Sequence, residues 1–282
     1  MTFSGRAAGW LALAATAVMA AGPPANPEVR LQYSFRPGDR ITTQVAHRAL
    51  TETTVSGTTQ TVETMTDSTK IWTVVAVDDE GRATLEHSVD DVTMTSRTSD
   101  HGEVRWSSRG TEPPPPGYEG VRQSLGIPLT RLVVGRDGGV IERRELRPCP
   151  ASASGDLPVV PLPDGPVGVG AEWTIPQEVV VEAPAGPRKA VRTRLRYTLE
   201  SVRDGIATIH VDTTVLTPVD DPRLEARLLE RIWEGTIRFD VAAGRVLSRR
   251  TGIDRRVVGF SGPESTIRYK SSLEETAVRP DG

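Results

Sequence analysis

Apolar and polar residues alternate along much of this chain. Between Val191 and Leu199 every second residue is apolar or Thr, and the residues between them are Arg or Thr. The same period of two recurs within 207–215 and 267–274. Such alternation is typical of a strand with one buried and one solvated face. The pattern therefore predicts an all-β fold of about twelve long strands, which short turns join into an antiparallel meander.

One strand–turn–strand pattern occurs twice. Residues 72–85 read Trp-Thr-Val-Val-Ala-Val-Asp-Asp-Glu-Gly-Arg-Ala-Thr-Leu, and residues 197–209 read Tyr-Thr-Leu-Glu-Ser-Val-Arg-Asp-Gly-Ile-Ala-Thr-Ile. With one gap in the second copy, Gly81 aligns with Gly205, and the aromatic residues that open the two segments also align. Because internal repeats indicate architecture, we expect the two halves of the chain to fold alike.

The duplication leaves two architectures open. The strands form either two internally duplicated curled sheets or one large open barrel, and the sequence does not choose between them. We expect at most one short helix, near residues 119–125. The composition of 222–232 would also suit a helix, but the residues that follow continue with period two. We therefore favour a strand from about residue 227.

The N-terminus has the features of a signal peptide. Arg6 precedes an apolar stretch from Trp10 to Ala21, about a dozen residues and too short to cross a bilayer. Small residues at its end predict cleavage after Ala20 or Ala21. We expect an exported, periplasmic or extracellular protein without a stable transmembrane anchor. No cysteine follows the apolar stretch directly, which argues against a lipoprotein anchor.

A proline-rich stretch separates the two copies of the repeat. Five prolines between residues 150 and 166 predict a linker. Cys149, the single cysteine of the chain, stands at its start and has no partner for an internal disulfide. The predicted segments are a signal peptide (1–21), a first β repeat (22–148), a Pro-rich linker (149–166) and a second β repeat (167–279).

Charge and motifs argue against several classes of function. The net charge of −3 does not suit a nucleic-acid-binding protein, which needs a basic excess on one face. None of the four histidines has a second ligand at the spacing of a zinc site. Acidic clusters such as Asp78-Asp79-Glu80 stand at predicted turns, where Asp is favoured for backbone reasons. We expect no catalytic residues, no metal and no cofactor.

Two features test which face of a strand each residue occupies. His87 falls on the apolar phase of its strand beside Leu85, so we expect it to point inward. After Val89 the phase changes, which predicts a β-bulge near Asp90-Asp91.

Six apolar residues share the predicted inner faces of the sheets. They are Trp72, Val74, Trp173, Leu195, Tyr197 and Leu199. If the sheets pack on each other, these residues fill a core. If each sheet curls alone, they line a groove for a hydrophobic ligand. We favour the core, because aromatic residues make up only 5% of the chain and an open apolar groove is costly.

Turn and strand-start motifs resemble those of one family. They are Phe35-Arg-Pro-Gly-Asp39, Val77-Asp-Asp-Glu-Gly-Arg-Ala-Thr84, Gly168-Val-Gly-Ala-Glu-Trp173 and Ala243-Gly-Arg-Val246. Over about residues 29–275 the chain resembles exported bacterial proteins grouped as domain of unknown function 6263. The resemblance implies an exported β protein and supplies no catalytic residues.

The sequence favours two functions over a third, an enzyme of unrecognised type. The first is an exported, non-enzymatic β protein that acts as a structural or interaction module with a protein partner. The alternative is an extracytoplasmic carrier that binds a lipid or another hydrophobic ligand on the concave face of a curled sheet.

Overall fold

The computed structural model describes residues 28–147, 157–181 and 188–278. The predicted signal peptide with its cleavage site, and Cys149, lie outside these residues. Strands dominate both halves of the chain, as the alternating pattern predicts.

The first half comprises β1 (Arg40–Val55), β2 (Thr58–Val77), β3 (Ala83–Thr98), β4 (Gly102–Ser107), α1 (Glu119–Ser124), β5 (Thr130–Val134) and β6 (Val140–Glu145). The second half comprises β7 (Glu172–Val181), β8 (Lys189–Arg203), β9 (Ile206–Val215), α2 (Pro222–Leu228), β10 (Glu234–Asp240), β11 (Arg245–Val258) and β12 (Thr266–Ala277).

All twelve strands of the described residues belong to one sheet. Its order is β6-β5-β3-β2-β1-β12-β11-β10-β9-β8-β7, with β4 paired to β3 off this path. Every neighbouring pair is antiparallel. The sheet is a meander that does not close into a barrel. The predicted all-β meander is confirmed, and a single open sheet replaces the two alternatives that the sequence left open.

The repeated segments occupy corresponding places in the two halves. Trp72 lies on β2 and Tyr197 on β8. Gly81 and Gly205 lie in the turns that follow these strands, with φ angles of 78° and 76°. These left-handed conformations are the reason for glycine at both positions. Strand β12 has no counterpart in the first half and joins the halves by pairing with both β1 and β11.

The predicted β-bulge is confirmed. In the pairing of β2 with β3, Thr69 faces Asp91 and Lys70 faces Val89, so Asp90 is the extra residue. The long hairpin of β1 and β2 turns at Ser56-Gly57, both with positive φ.

The expectation of at most one helix is wrong. Helix α1 lies where it was predicted, but α2 is a second helix and continues into a 3₁₀ turn, so the strand expected from about residue 227 begins only at Glu234. The start of α2 is capped, because the Asp221 carboxylate accepts the backbone N–H of Arg223 and Pro222 opens the first turn. Leu224 and Leu228 then bury one face of the helix.

One face of the sheet carries the main core. Residues of β2, β3 and β5 from the first half and of β8, β9 and β10 from the second half form a single apolar cluster. The sheet is therefore folded with this face inward, and we call it the concave face. Two non-strand segments, 28–35 and 157–167, fill the space between the halves. Leu31, Val160 and Leu162 from these segments are almost completely buried. The described part of the predicted linker is thus packed into the interior.

Candidate functional site

The six residues of the predicted ligand face come together in the core. Trp72, Val74, Leu195, Tyr197 and Leu199 are buried, and the partly buried Trp173 packs against them. Indeed the Trp173 and Tyr197 rings stack with centroids 5.5 Å apart. Hence this part of the concave face is filled by side chains and does not form an open groove.

Hydrogen bonds hold the two filling segments in place. The Tyr33 hydroxyl accepts the backbone N–H of Val160 at 2.7 Å and donates to the Val160 carbonyl at 3.2 Å. The indole N–H of Trp173 donates to the Pro161 carbonyl at 2.9 Å. The space that remains beside these segments has a volume of only about 30 Å³. It is lined by Arg249 and Glu275 among other residues, and it is far below the size of a small-molecule site.

The buried tyrosines are held in their neutral form. Desolvation raises the pKa of Tyr33 well above its usual value of 10. Desolvation also raises the pKa of Tyr197 to about 12, although the positive charge of Arg249 opposes the shift. His87 is 1% exposed and stacks on Trp72 at 4.6 Å, so its inward orientation is confirmed.

Beyond the core, the concave face is accessible. Strand register places Thr251, Leu273, His47, Thr66 and Met94 in one row across β11, β12, β1, β2 and β3. Directly opposite residues point to the same face. This row lies on the same face as the buried core, and none of its side chains is buried.

We define the open floor as the accessible concave-face positions of these five strands. They are His47, Ala49, Thr51, Thr53, Val62, Thr64, Thr66, Met94, Ser96, Thr98, Thr251, Ile253, Arg255, Ile267, Tyr269, Ser271 and Leu273. At about 3.4 Å per residue and 4.8 Å per strand, the floor measures about 20 Å by 19 Å. Arg255 is the one Asp, Glu, Lys or Arg among these described positions.

The opposite face of the same strands is highly charged. Arg48 pairs with Asp67 at 2.7 Å and Arg268 pairs with Asp254 at 2.9 Å. The pKa of Asp254 is lowered, first by its hydrogen bond from Arg268. This contrast means that the two faces of one exposed sheet region differ in chemistry, although both are accessible to solvent.

Two connecting segments border the open floor, and they occur at corresponding points in the two halves of the chain. In the first half, the β4–β5 connection with α1 covers Trp106, whose ring lies 6.2 Å from Tyr118. In the second half, α2 lies in the β9–β10 connection and contacts β7 and β11.

A second depression lies on the charged face of β10, β11 and β12, with a volume of about 880 Å³. Its lining includes Arg238, Arg245 and Glu234 together with Ser and Thr side chains. The backbones of β11 and β12 approach closely here, since a Cβ on Gly252 would lie 2.8 Å from the Ser271 carbonyl oxygen. Leu247, Ile253, Leu273 and Val278 also line the depression, so its surface combines charged, hydroxyl and apolar side chains.

The open floor was not predicted from the sequence. A signal was present in the Thr-rich hairpin, where charged residues such as Arg48 and Glu52 fall on one phase and Ala49 and Thr51 on the other. Both faces of that hairpin are fairly polar, however, so the absence of charge on one face does not by itself indicate a binding surface.

Within residues 28–147, 157–181 and 188–278, no group of three or more His, Cys, Asp or Glu side chains is placed to hold a metal ion. No helix in this part of the chain is both long enough and apolar enough to cross a membrane.

The fold is similar to part of a solved lipid-binding structure. It matches lipovitellin, in a structure that describes lipid–protein interactions, with a TM-score of 0.52 and 12% sequence identity. The match covers 88% of this chain, which spans only 26% of the lipovitellin chain. At this identity the likeness concerns the fold alone.

A second likeness is to DynF from the dynemicin biosynthesis pathway of Micromonospora chersina. The identity is 10%, and the match covers 92% of this chain and 95% of DynF, but the TM-score of 0.21 carries no structural argument. No family model and no curated protein matches the chain. The resemblance to domain of unknown function 6263 therefore stays a prediction.

Proposed function

We propose that this protein is an exported, non-enzymatic binding protein that carries a lipid or another hydrophobic ligand on the open floor. The observation that carries the proposal is the difference between the two faces of β1, β2, β3, β11 and β12. The open floor on the concave face is accessible and carries a single charged side chain, Arg255, whereas the opposite face is covered by ion pairs.

The open floor exposes a group of apolar side chains to solvent. Ile253, Ile267, Tyr269 and Leu273 lie close together on the floor and remain partly exposed. A contiguous exposed apolar patch is unfavourable in water and is typical of a ligand or partner site. The Thr and Ala side chains between them are small. They leave the floor open and present methyl groups to a bound ligand.

The fold supports the same proposal. Part of lipovitellin has a similar fold, and that structure describes interactions with lipid. The proposed site differs from the sequence-based one, because it uses the open end of the concave face in place of the buried Trp72 and Tyr197.

Binding of a fluorescent long-chain fatty acid tests the proposal. We expect saturable binding that Ala49→Trp weakens at least about tenfold by obstructing the floor. Ala46→Trp is the matched control, since Ala46 lies on the same strand, on the opposite face. Extraction of the natively purified protein, followed by mass spectrometry, should show a bound lipid. Absence of saturable binding, or equal loss in both variants, contradicts the proposal.

A second candidate function is an interaction module. The depression on β10–β12 favours it, because exposed arginines and hydroxyl groups there suit a polar partner. Substitution of Arg238 and Arg245 by Gln should abolish such an interaction and leave fatty-acid binding unchanged. A pull-down with native extract in which both variants and wild type retain the same partners would contradict this second candidate.

A further inference from the structure

The exception to the uncharged floor is Arg255. It lies on β11 directly opposite Tyr269 of β12, and Tyr269 lies opposite Thr51 of β1. Arg255 is exposed and makes no hydrogen bond or ion pair with any residue that the structure describes. In contrast, Arg268 on the opposite face is held by two carboxylates.

The neighbours of Arg255 do not neutralise it. Ser271 is engaged, since its hydroxyl lies 3.1 Å from Nε2 of His47. Glu230, on the 3₁₀ turn after α2, acts electrostatically on Tyr269 but forms no ion pair with Arg255 in the described part of the chain. A free guanidinium therefore stands at the side of an otherwise uncharged, partly apolar surface.

We propose that the open floor binds an amphiphile with an acyl chain and one anionic head group, which Arg255 holds. This inference rests on the proposed function and adds the ligand class to it. A guanidinium forms paired, charge-assisted hydrogen bonds with a carboxylate or a phosphate. Ile253 lies two residues away on the same strand and face, and Leu273 lies diagonally across from Ile253 on β12, opposite Thr251, so the acyl chain extends from Arg255 over these side chains.

The dimensions of the floor fit such a ligand. Half of the hydrocarbon thickness of a bilayer, about 15 Å, approximates the length of one acyl chain. Along β11, the direction in which Ile253 and Leu273 lie, the floor extends about 14 Å from Arg255 to Thr251. One chain of this length can therefore lie along the floor with its head group at Arg255. Carboxylate and phosphate head groups share this chemistry, and the experiment below separates them.

Displacement of the fluorescent fatty acid by three unlabelled competitors tests the inference. The competitors are a long-chain fatty acid, the alcohol of equal chain length, and a lysophosphatidic acid. The variants are Arg255→Gln and Arg256→Gln. Arg256 is the matched control, because it is the next residue of β11, is also exposed, and lies on the opposite face. Thermal unfolding of both variants confirms that they fold.

We expect the wild-type protein to prefer the acid over the alcohol by about tenfold, the effect of a charge-assisted hydrogen bond. Arg255→Gln should remove this preference and leave alcohol binding unchanged, and Arg256→Gln should retain it. The tighter of the two anionic competitors identifies the head group. Equal binding of acid and alcohol by the wild type, or equal loss of preference in both variants, overturns the inference while the proposed function stands. Failure of all three competitors to bind overturns the proposed function itself.

Discussion

Removal of one charge from the interior should destabilise the protein strongly. Arg249 donates from Nε to a Glu275 carboxylate oxygen at 2.6 Å, and each side chain is only 12% exposed. Arg249 also donates to the Leu157 carbonyl at 3.2 Å and so anchors one of the segments that fill the interior. Glu275→Gln preserves the shape of the side chain but leaves the Arg249 charge buried without its carboxylate.

The expected loss of unfolding free energy is about 3 kcal/mol, the lower end of the range for breaking a buried ion pair, because some solvent reaches both groups. The neighbouring pair supplies a matched control. Arg250 and Glu274 lie on the opposite face at 3.5 Å, with side chains 75% and 54% exposed. Glu274→Gln should therefore cost less than about 1 kcal/mol.

Urea unfolding followed by tryptophan fluorescence measures both changes. The two substituted residues are neighbours on β12 but lie on opposite faces of the sheet. The two variants therefore compare the buried ion pair with the exposed one directly. Equal destabilisation by the two variants, or a loss below about 1 kcal/mol for Glu275→Gln, would refute the assignment of Arg249 and Glu275 to the interior.

Three further predictions concern stability. His87→Ala removes a buried ring that stacks on Trp72 and should cost about 2 kcal/mol; an unchanged urea midpoint would count against the stacking. Gly81→Ala forces a side chain into a left-handed conformation and should cost about 1–2 kcal/mol, measured in the same way; no change would argue against the tight turn. Burial raises the pKa of Tyr197 to about 12. The contribution of neutral Tyr197 to the free energy of unfolding should therefore be fully present below about pH 10, the unfolded-state pKa, and should be lost as pH rises towards 12. Unfolding midpoints at several alkaline pH values should depend less on pH in Tyr197→Phe; identical slopes would contradict this.

Much of the fold follows from local patterns in the sequence. Period-two alternation locates β8 and β9, because each strand buries one face, and the positive φ of Gly81 and Gly205 explains the repeated turns. The bulge at Asp90 follows from a change of phase within one strand. These features depend on neighbouring residues, which is why the sequence alone is sufficient.

Other features depend on contacts between distant segments. The pairing of β1 with β12 turns the two halves into one sheet, but it joins the first and last strands and leaves no local signal. The segment 157–167 resembles a spacer because of its prolines, yet Val160 and Leu162 are buried by the sheet around them. The sequence does not single out helix α2, because its apolar spacing also fits a short strand, although Asp221 and Pro222 together form a helix start.

The candidate site was only partly predictable for the same reason. The sequence assigns Trp72 and Tyr197 to inward phases, but it does not show which part of the concave face is filled. The filling segments cover the Trp72 and Tyr197 end and leave the His47 end accessible. A ligand face expected at the largest aromatic residues is therefore a core, and the accessible floor is formed by smaller side chains.

Residue-level photolabelling tests the central claim most directly. A long-chain fatty acid that carries a photoactivatable group on its chain would be irradiated with the protein, and the modified residues would be identified by mass spectrometry. We predict labels at floor positions that do not line the β10–β12 depression, such as Ala49, Ile267 and Tyr269, and displacement of these labels by unlabelled fatty acid. Labels at the intervening charged-face positions, or in the depression of β10–β12, would contradict the assignment of ligand binding to the concave face.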